Sequence, residues 1–198
     1  GCGLGSVAGS VGLFGGIIIN IWKPGALKAA IAAAIAKRAA EISIAAEAAG
    51  EVTGKALVIA ELQKMGISTL NDQTLQSFFT TISYKNITRI YQAVYEQHFQ
   101  KCEFGFLKKE FLSLPDAKRD LHFCRSVWNQ TPAASQARQY ISPEKVIKTT
   151  VEEVVEGAEV SAKAAADIAT KQATEASIKT STETIDAACT QLYSAIGY

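Results

Sequence analysis

Charge is missing from the first twenty-two residues of this 198-residue chain, Gly1 to Trp22. Proline is scarce, with Pro24, Pro115, Pro132 and Pro143 the whole complement, and β-branched alternation is nearly absent. That leaves little room for sheet, and the alanine-rich remainder, with Glu and Lys scattered along it, reads as mostly helix. The expected fold class is all-α. Cys-x-x-Cys pairs are also missing, and the two histidines, His98 and His122, make no zinc spacing with the four cysteines. No Arg-rich stripe occurs, and a formal net charge of +1 predicts no nucleic-acid partner. No basic n-region or start methionine marks a cleavable signal. No catalytic constellation emerges: His98 sits on an apolar helical face, and a disulfide at Cys124 would remove the thiol nearest His122 as a nucleophile. Neither a metal nor a cofactor is expected.

What is present begins with the glycine-rich opening. Gly3-Leu4-Gly5-Ser6-Val7-Ala8 fits a dinucleotide fingerprint in letters only, because no strand precedes it and no βαβ pattern follows. Residues 4–22 are long enough for a membrane span, and Gly5/Gly9 and Gly12/Gly16 have the spacing of close helix pairs. Seven glycines in the first sixteen residues, with Ser6 and Ser10, weaken the span reading. The segment is read as a helix packed within the protein; a span or membrane contact is the alternative.

Two long helices are expected to form a scaffold from residues 1–66 and 142–198. Pro24 is read as the first turn of a new helix. Leu27, Ala30, Ile31, Ala34, Ile35, Ala39, Ile42 and Ala46 then make a stripe that Val58, Leu62 and Met65 continue, with Gly50 and Gly54 as kink or end points. Ser142-Pro143-Glu144 is a helix start. Its seam runs through Ile147, Val151, Val154, Ala158, Ala162, Ala165 and Ala169, then Ala173, Ala176, Ile185 and Leu192, with Gly157 tolerated. Glu152, Glu153, Glu156 and Glu159 form a solvated face.

Residues 71–141 hold shorter helices and loops. Asn71 is read as a cap; Leu75, Phe78, Phe79 and Ile82 mark one helical face, and Ile87, Ile90, Tyr91, Val94, Tyr95 and Phe99 another, with the aromatics in the core. Asn86-Ile87-Thr88 and Asn129-Gln130-Thr131 are glycosylation sequons. From Cys102 to Tyr140 aromatics crowd and basic residues cluster. Residues 101–145 carry eight basic and five acidic side chains, against four and eight in residues 146–198. Phe104, Phe106, Phe111, Trp128 and Tyr140, with Lys108, Lys109, Arg125 and Arg138, are of the types that anchor interfaces; the alternative is a solvated surface. The four cysteines admit three pairings. Cys102 with Cys124, closing this segment, and Cys2 with Cys189, clamping the ends, is the expected one, in an oxidising compartment; four buried thiols is the alternative.

"GSVAGSVGLFGGIIINIWKPGALKAA", "SFFTTISYKNITRIYQAVYEQHF", the alanine-rich acidic helix and "IDAACTQLYSAIGY" together resemble the RIFIN family of malaria-parasite surface antigens. The resemblance covers essentially the whole chain, and the block with the Trp22-Lys23-Pro24 step is its most specific part. It implies a single variable ectodomain, exported to the infected red-cell surface and anchored by a membrane helix following residue 198. The family's N-terminal signal, export motif and semi-conserved region are not in the sequence. The implied function is immune evasion with antigenic variation: a ligand for an inhibitory receptor with immunoglobulin-like domains, of the leukocyte immunoglobulin-like, leukocyte-associated or killer-cell class. Antibodies are the other expected partner, and no enzyme activity is implied. Family members diverge most in the stretch matching Cys102 to Tyr140, where the aromatic and basic residues gather. Two further readings are a red-cell adhesin involved in rosetting and a membrane-pore or scaffold protein built on the glycine-rich helix.

Overall fold

The computed structural model describes residues 15–104, 117–135 and 141–196. Five α-helices are found among these residues: α1 (Gly15–Lys64), α2 (Leu75–Thr81), α3 (Ile87–His98), α4 (Ala117–Ser135) and α5 (Pro143–Ile196). A two-stranded hairpin, β1 (Thr69–Leu70) and β2 (Gln73–Thr74), lies between α1 and α2, and a π-helical turn, Phe99–Phe104, follows α3. The all-α expectation holds, with one small hairpin added. The chain divides into two compact units, one of Ala49–Ala165 and one of Gly1–Ala48 with Ala166–Tyr198.

The unit of residues 49–165 holds the larger core. Along α1, Gly50, Gly54, Val58 and Leu62 are buried at every fourth position, a single helical stripe. Val58 and Leu62 join Leu75, Phe78 and Phe79 of α2, Ile90 and Val94 of α3, Phe123 and Val127 of α4, and Ile147, Val151, Val155 and Ala158 of α5 in one cluster. Neither Gly50 nor Gly54 ends or interrupts α1. Gly54 is where a buried ring crosses the helix: a Cβ built on it would lie 2.3 Å from Cζ of Tyr84. Only glycine lets the aromatic approach so closely.

The end of α1 is written in its own backbone. Gly66 takes φ +91°, its N–H donates to the Gln63 carbonyl and that of Ile67 to the Leu62 carbonyl. With Leu62 and Ile67 both buried, this is the Schellman arrangement with its hydrophobic contact. The hairpin follows. Asn71 and Asp72 have φ of 50° and 59°, and Leu70 pairs with Gln73 across them. That is the type I′ geometry that suits the twist of a two-residue hairpin, and Asn and Asp are among the residues that tolerate it. Asn71 therefore turns the hairpin rather than capping α2. The cap is Thr74, whose hydroxyl accepts from Ser77 N–H at 3.2 Å. Asn86 caps α3 by accepting from Arg89 N–H at 3.1 Å, and it is exposed, as is Asn129.

Other expectations change in detail. Pro24 does not open a helix but lies inside α1. Ser142 does start α5: its hydroxyl accepts from Lys145 N–H at 3.3 Å, and the helix runs through Gly157 to Ile196. The buried seam of α5 passes through Val155, Ser177 and Ser181; Val154 is only half-buried, and Ala176 and Leu192 are exposed. On α1, Ala39 is likewise exposed.

In the unit of residues 1–48 and 166–198, Ser177, Ser181, Ile185 and Cys189 are buried at every fourth position of α5. The two serines satisfy their hydroxyls on the carbonyls one turn back, at 2.9 Å each, so small polar residues fit a buried seam. Lys23 forms an ion pair with Asp186 at 2.6 Å. Cys2, and with it the expected bridge to Cys189, lies outside the described residues, as do residues 1–14 of the glycine-rich block. Among the described residues no helix is long and apolar enough to cross a membrane.

Candidate functional site

The described part of the candidate surface is built on α3, the π-helical turn and α4. Cys102 and Cys124 are joined, with Cα atoms 5.5 Å apart across 22 positions of sequence. The bridge ties the π-helical turn to α4 and closes the loop between them. Both cysteines are buried. Lys101 adds an ion pair to Asp120 of α4 at 2.8 Å.

Packing against the rest of the unit orients α4. Its inner face carries Phe123, Cys124 and Val127, all buried. Phe123 meets His98 edge-on, with ring centroids 5.8 Å apart. Gly66 lies beneath the same helix, and a Cβ there would stand 2.8 Å from the Arg119 carbonyl oxygen. His122 Nε2 stands 3.0 Å from the Lys64 carbonyl. A carbonyl only accepts, so this nitrogen donates, and it satisfies one of the carbonyls left open at the end of α1.

The solvent-exposed side of α4 presents the candidate residues, with Trp128 at the flank of the inner face. Arg125 and Trp128 are both exposed, three positions apart on one side of the helix, and Trp128 keeps 39% of its surface. Phe99, read from sequence as core, is also 41% exposed at the start of the π-helical turn. Phe104 belongs to that turn, but its side chain lies outside the described residues, as do Phe106, Lys108, Lys109, Phe111, Arg138 and Tyr140. Of the nine candidates, Arg125 and Trp128 are thus the pair whose placement is described.

His98 is fully buried, and neither ring nitrogen meets a hydrogen-bond partner among the described residues. Burial pushes its pKa below the usual histidine value, partly opposed by the Glu103 carboxylate. Tyr91 donates to the Glu144 carboxylate at 3.0 Å and stacks on Tyr95, joining α3 to the start of α5. Burial first, and that carboxylate second, raise its pKa. Among the described residues no group of three His, Cys, Asp or Glu side chains is placed to hold a metal. What the geometry offers is recognition: exposed aromatic and guanidinium groups on a helix whose inner face is fastened by a disulfide and a packed core.

The family model of Rifin matches residues 1–198. The chain belongs to the RIFIN family. It is therefore a variant surface antigen, from a family of surface antigens rather than of enzymes. No curated protein matches the chain. For a RIFIN, three structural features were hard to see in the sequence. The turn at Asn71-Asp72 hides in a helical context, the close approach at Gly54 depends on a residue thirty positions away, and Phe99 follows the periodicity of α3 but sits where the helix loosens into the π-helical turn.

Proposed function

We propose that this RIFIN is a surface-displayed ligand for an inhibitory receptor with immunoglobulin-like domains on host immune cells. The receptor class is leukocyte immunoglobulin-like, leukocyte-associated or killer-cell. Engagement of the receptor's outer domains suppresses activation of the cell; the mechanism is recognition alone, with no bond made or broken. The observation that supports this reading is the exposed pair Arg125 and Trp128, on a helix clamped one residue earlier by the Cys102–Cys124 bridge. Arg and Trp are the commonest anchors of protein interfaces, and a helix already fixed by packing loses little freedom on binding.

Surface-plasmon binding of the soluble chain to immobilised ectodomains of all three receptor classes tests it. The comparison is a variant carrying Arg125→Ala and Trp128→Ala. Saturable binding to one receptor, weakened at least about tenfold in the variant, is the expected result. Binding that the variant retains in full would move the site to residues 104–111 or 138–140. Silence across the panel would overturn the reading and favour red-cell adhesion, checked by binding to intact red cells.

A further inference from the structure

A second feature of residues 49–165 shares no residue with the Arg125 and Trp128 pair of α4. Between the β1–β2 turn and the last turns of α3, a polar pocket of about 280 Å³ is lined by Asn71, Asp72, Glu96, Gln97, Gln100 and Lys101. Gln97 is the informative member. It is only 9% exposed, and its carboxamide makes no hydrogen bond among the described residues. Its carboxamide is reached through the pocket it lines, so its oxygen and N–H groups are open to a ligand there.

The charge around Gln97 defines that ligand. Asp72 and Glu96 bring two carboxylates. The one cation among the lining residues, Lys101, is already held by Asp120 at 2.8 Å. Gln100 donates to Glu96 at 3.2 Å, which presents that carboxylate while leaving its other oxygen available. An anionic ligand is disfavoured by this set. A bare metal ion is a poor match for a pocket of this volume with only two carboxylates, and no three-carboxylate or histidine cluster occurs among the described residues. A planar cation with several N–H donors suits two carboxylates and the carboxamide oxygens of Asn71 and Gln97 together.

We propose that this pocket is a binding site for an arginine side chain presented by a protein partner. The guanidinium pairs with Asp72 and Glu96 and satisfies the Gln97 carboxamide. The inference holds whichever partner the α4 face engages, because the pocket is complete within this chain.

The test uses the ¹⁵N-labelled chain with its disulfide intact, titrated with N-acetyl-arginine methylamide and followed by two-dimensional ¹H–¹⁵N NMR. Saturable shifts of the side-chain NH₂ pairs of Gln97 and Asn71 are expected. The citrulline analogue, which replaces guanidinium by neutral urea, and the lysine analogue should bind at least about fivefold more weakly. Asp72→Asn and Glu96→Gln should each weaken the arginine probe by about fivefold. Both are conservative changes at exposed positions, and Asn tolerates the positive φ at residue 72. No saturable shift, shifts scattered over the surface, equal binding of the citrulline or lysine analogue, or unchanged affinity in the two variants would each overturn the proposal.

Discussion

Replacing Gly54 by alanine should destabilise the unit of residues 49–165 by about 2 kcal/mol, although alanine is the better helix former. The new Cβ would lie 2.3, 2.5 and 2.6 Å from Cζ, Cε2 and Oη of Tyr84, where ordinary contact begins at 3.4 Å. The ring must therefore retreat by about 1 Å, and it has nowhere to go, since Tyr84 is 1% exposed. Overpacking of this kind costs up to about 3 kcal/mol, and the gain in helix propensity returns about 1 kcal/mol. Gly157 supplies the control. It is exposed inside α5, and a Cβ added there would meet nothing within 4 Å, so Gly157→Ala should stabilise by about 0.5–1 kcal/mol. Urea unfolding followed by circular dichroism, with unchanged slope, reads both. Tyr84→Leu closes the cycle: in that background Gly54→Ala should be neutral or mildly stabilising, giving a coupling of about 2–3 kcal/mol. If Gly54→Ala raises the midpoint as Gly157→Ala does, the close packing of Tyr84 on α1 is wrong.

Three further outcomes are expected. The pKa of His98 is lowered on folding, so below about pH 6.5 the unfolded chain binds a proton that the folded one refuses. Stability should be level with respect to this group above that pH and fall beneath it, at no more than about 1.4 kcal/mol per pH unit until the folded pKa is passed. Urea midpoints measured from pH 7.5 to 4.5 should show this component, and His98→Leu should remove it; an identical pH profile in the variant would refute the assignment. Cys102→Ala with Cys124→Ala should lower stability by about 3 kcal/mol, from the loop closed over 22 positions. Reducing the native chain should lower the urea midpoint to a similar degree, and no change would mean that the bridge does not constrain the unfolded chain. Gly66→Ala meets both a φ of +91° and the Arg119 carbonyl at 2.8 Å, and should cost about 2–4 kcal/mol in the same assay. A loss below about 0.5 kcal/mol would argue against the left-handed cap.

Much of this fold is legible in local signals because helices are local. The Ser142-Pro143-Glu144 start of α5 needs only its own hydroxyl and the N–H three residues on. The stripe through Val58 and Leu62 announces a buried face whatever it is buried against, and the aromatic, basic character of the segment from Cys102 to Tyr140 is plain in its composition; the Cys102–Cys124 pairing was one of three that the sequence allowed, and the fold selects it. Other features required the tertiary structure, because they depend on which distant residue arrives. Gly54 reads as a breaker until Tyr84 lies across it, and then it is the residue that lets the helix pack. Asn71 reads as a cap until Leu70 and Gln73 pair around it. Gln97 is one more residue of an amphipathic helix until the hairpin turn faces it across a polar pocket. The helices and the family thus follow from the order of residues along the chain. The close approaches, the hairpin and the pocket were decided by packing, since a residue's neighbours in space are set by the whole chain and not by its own stretch of it.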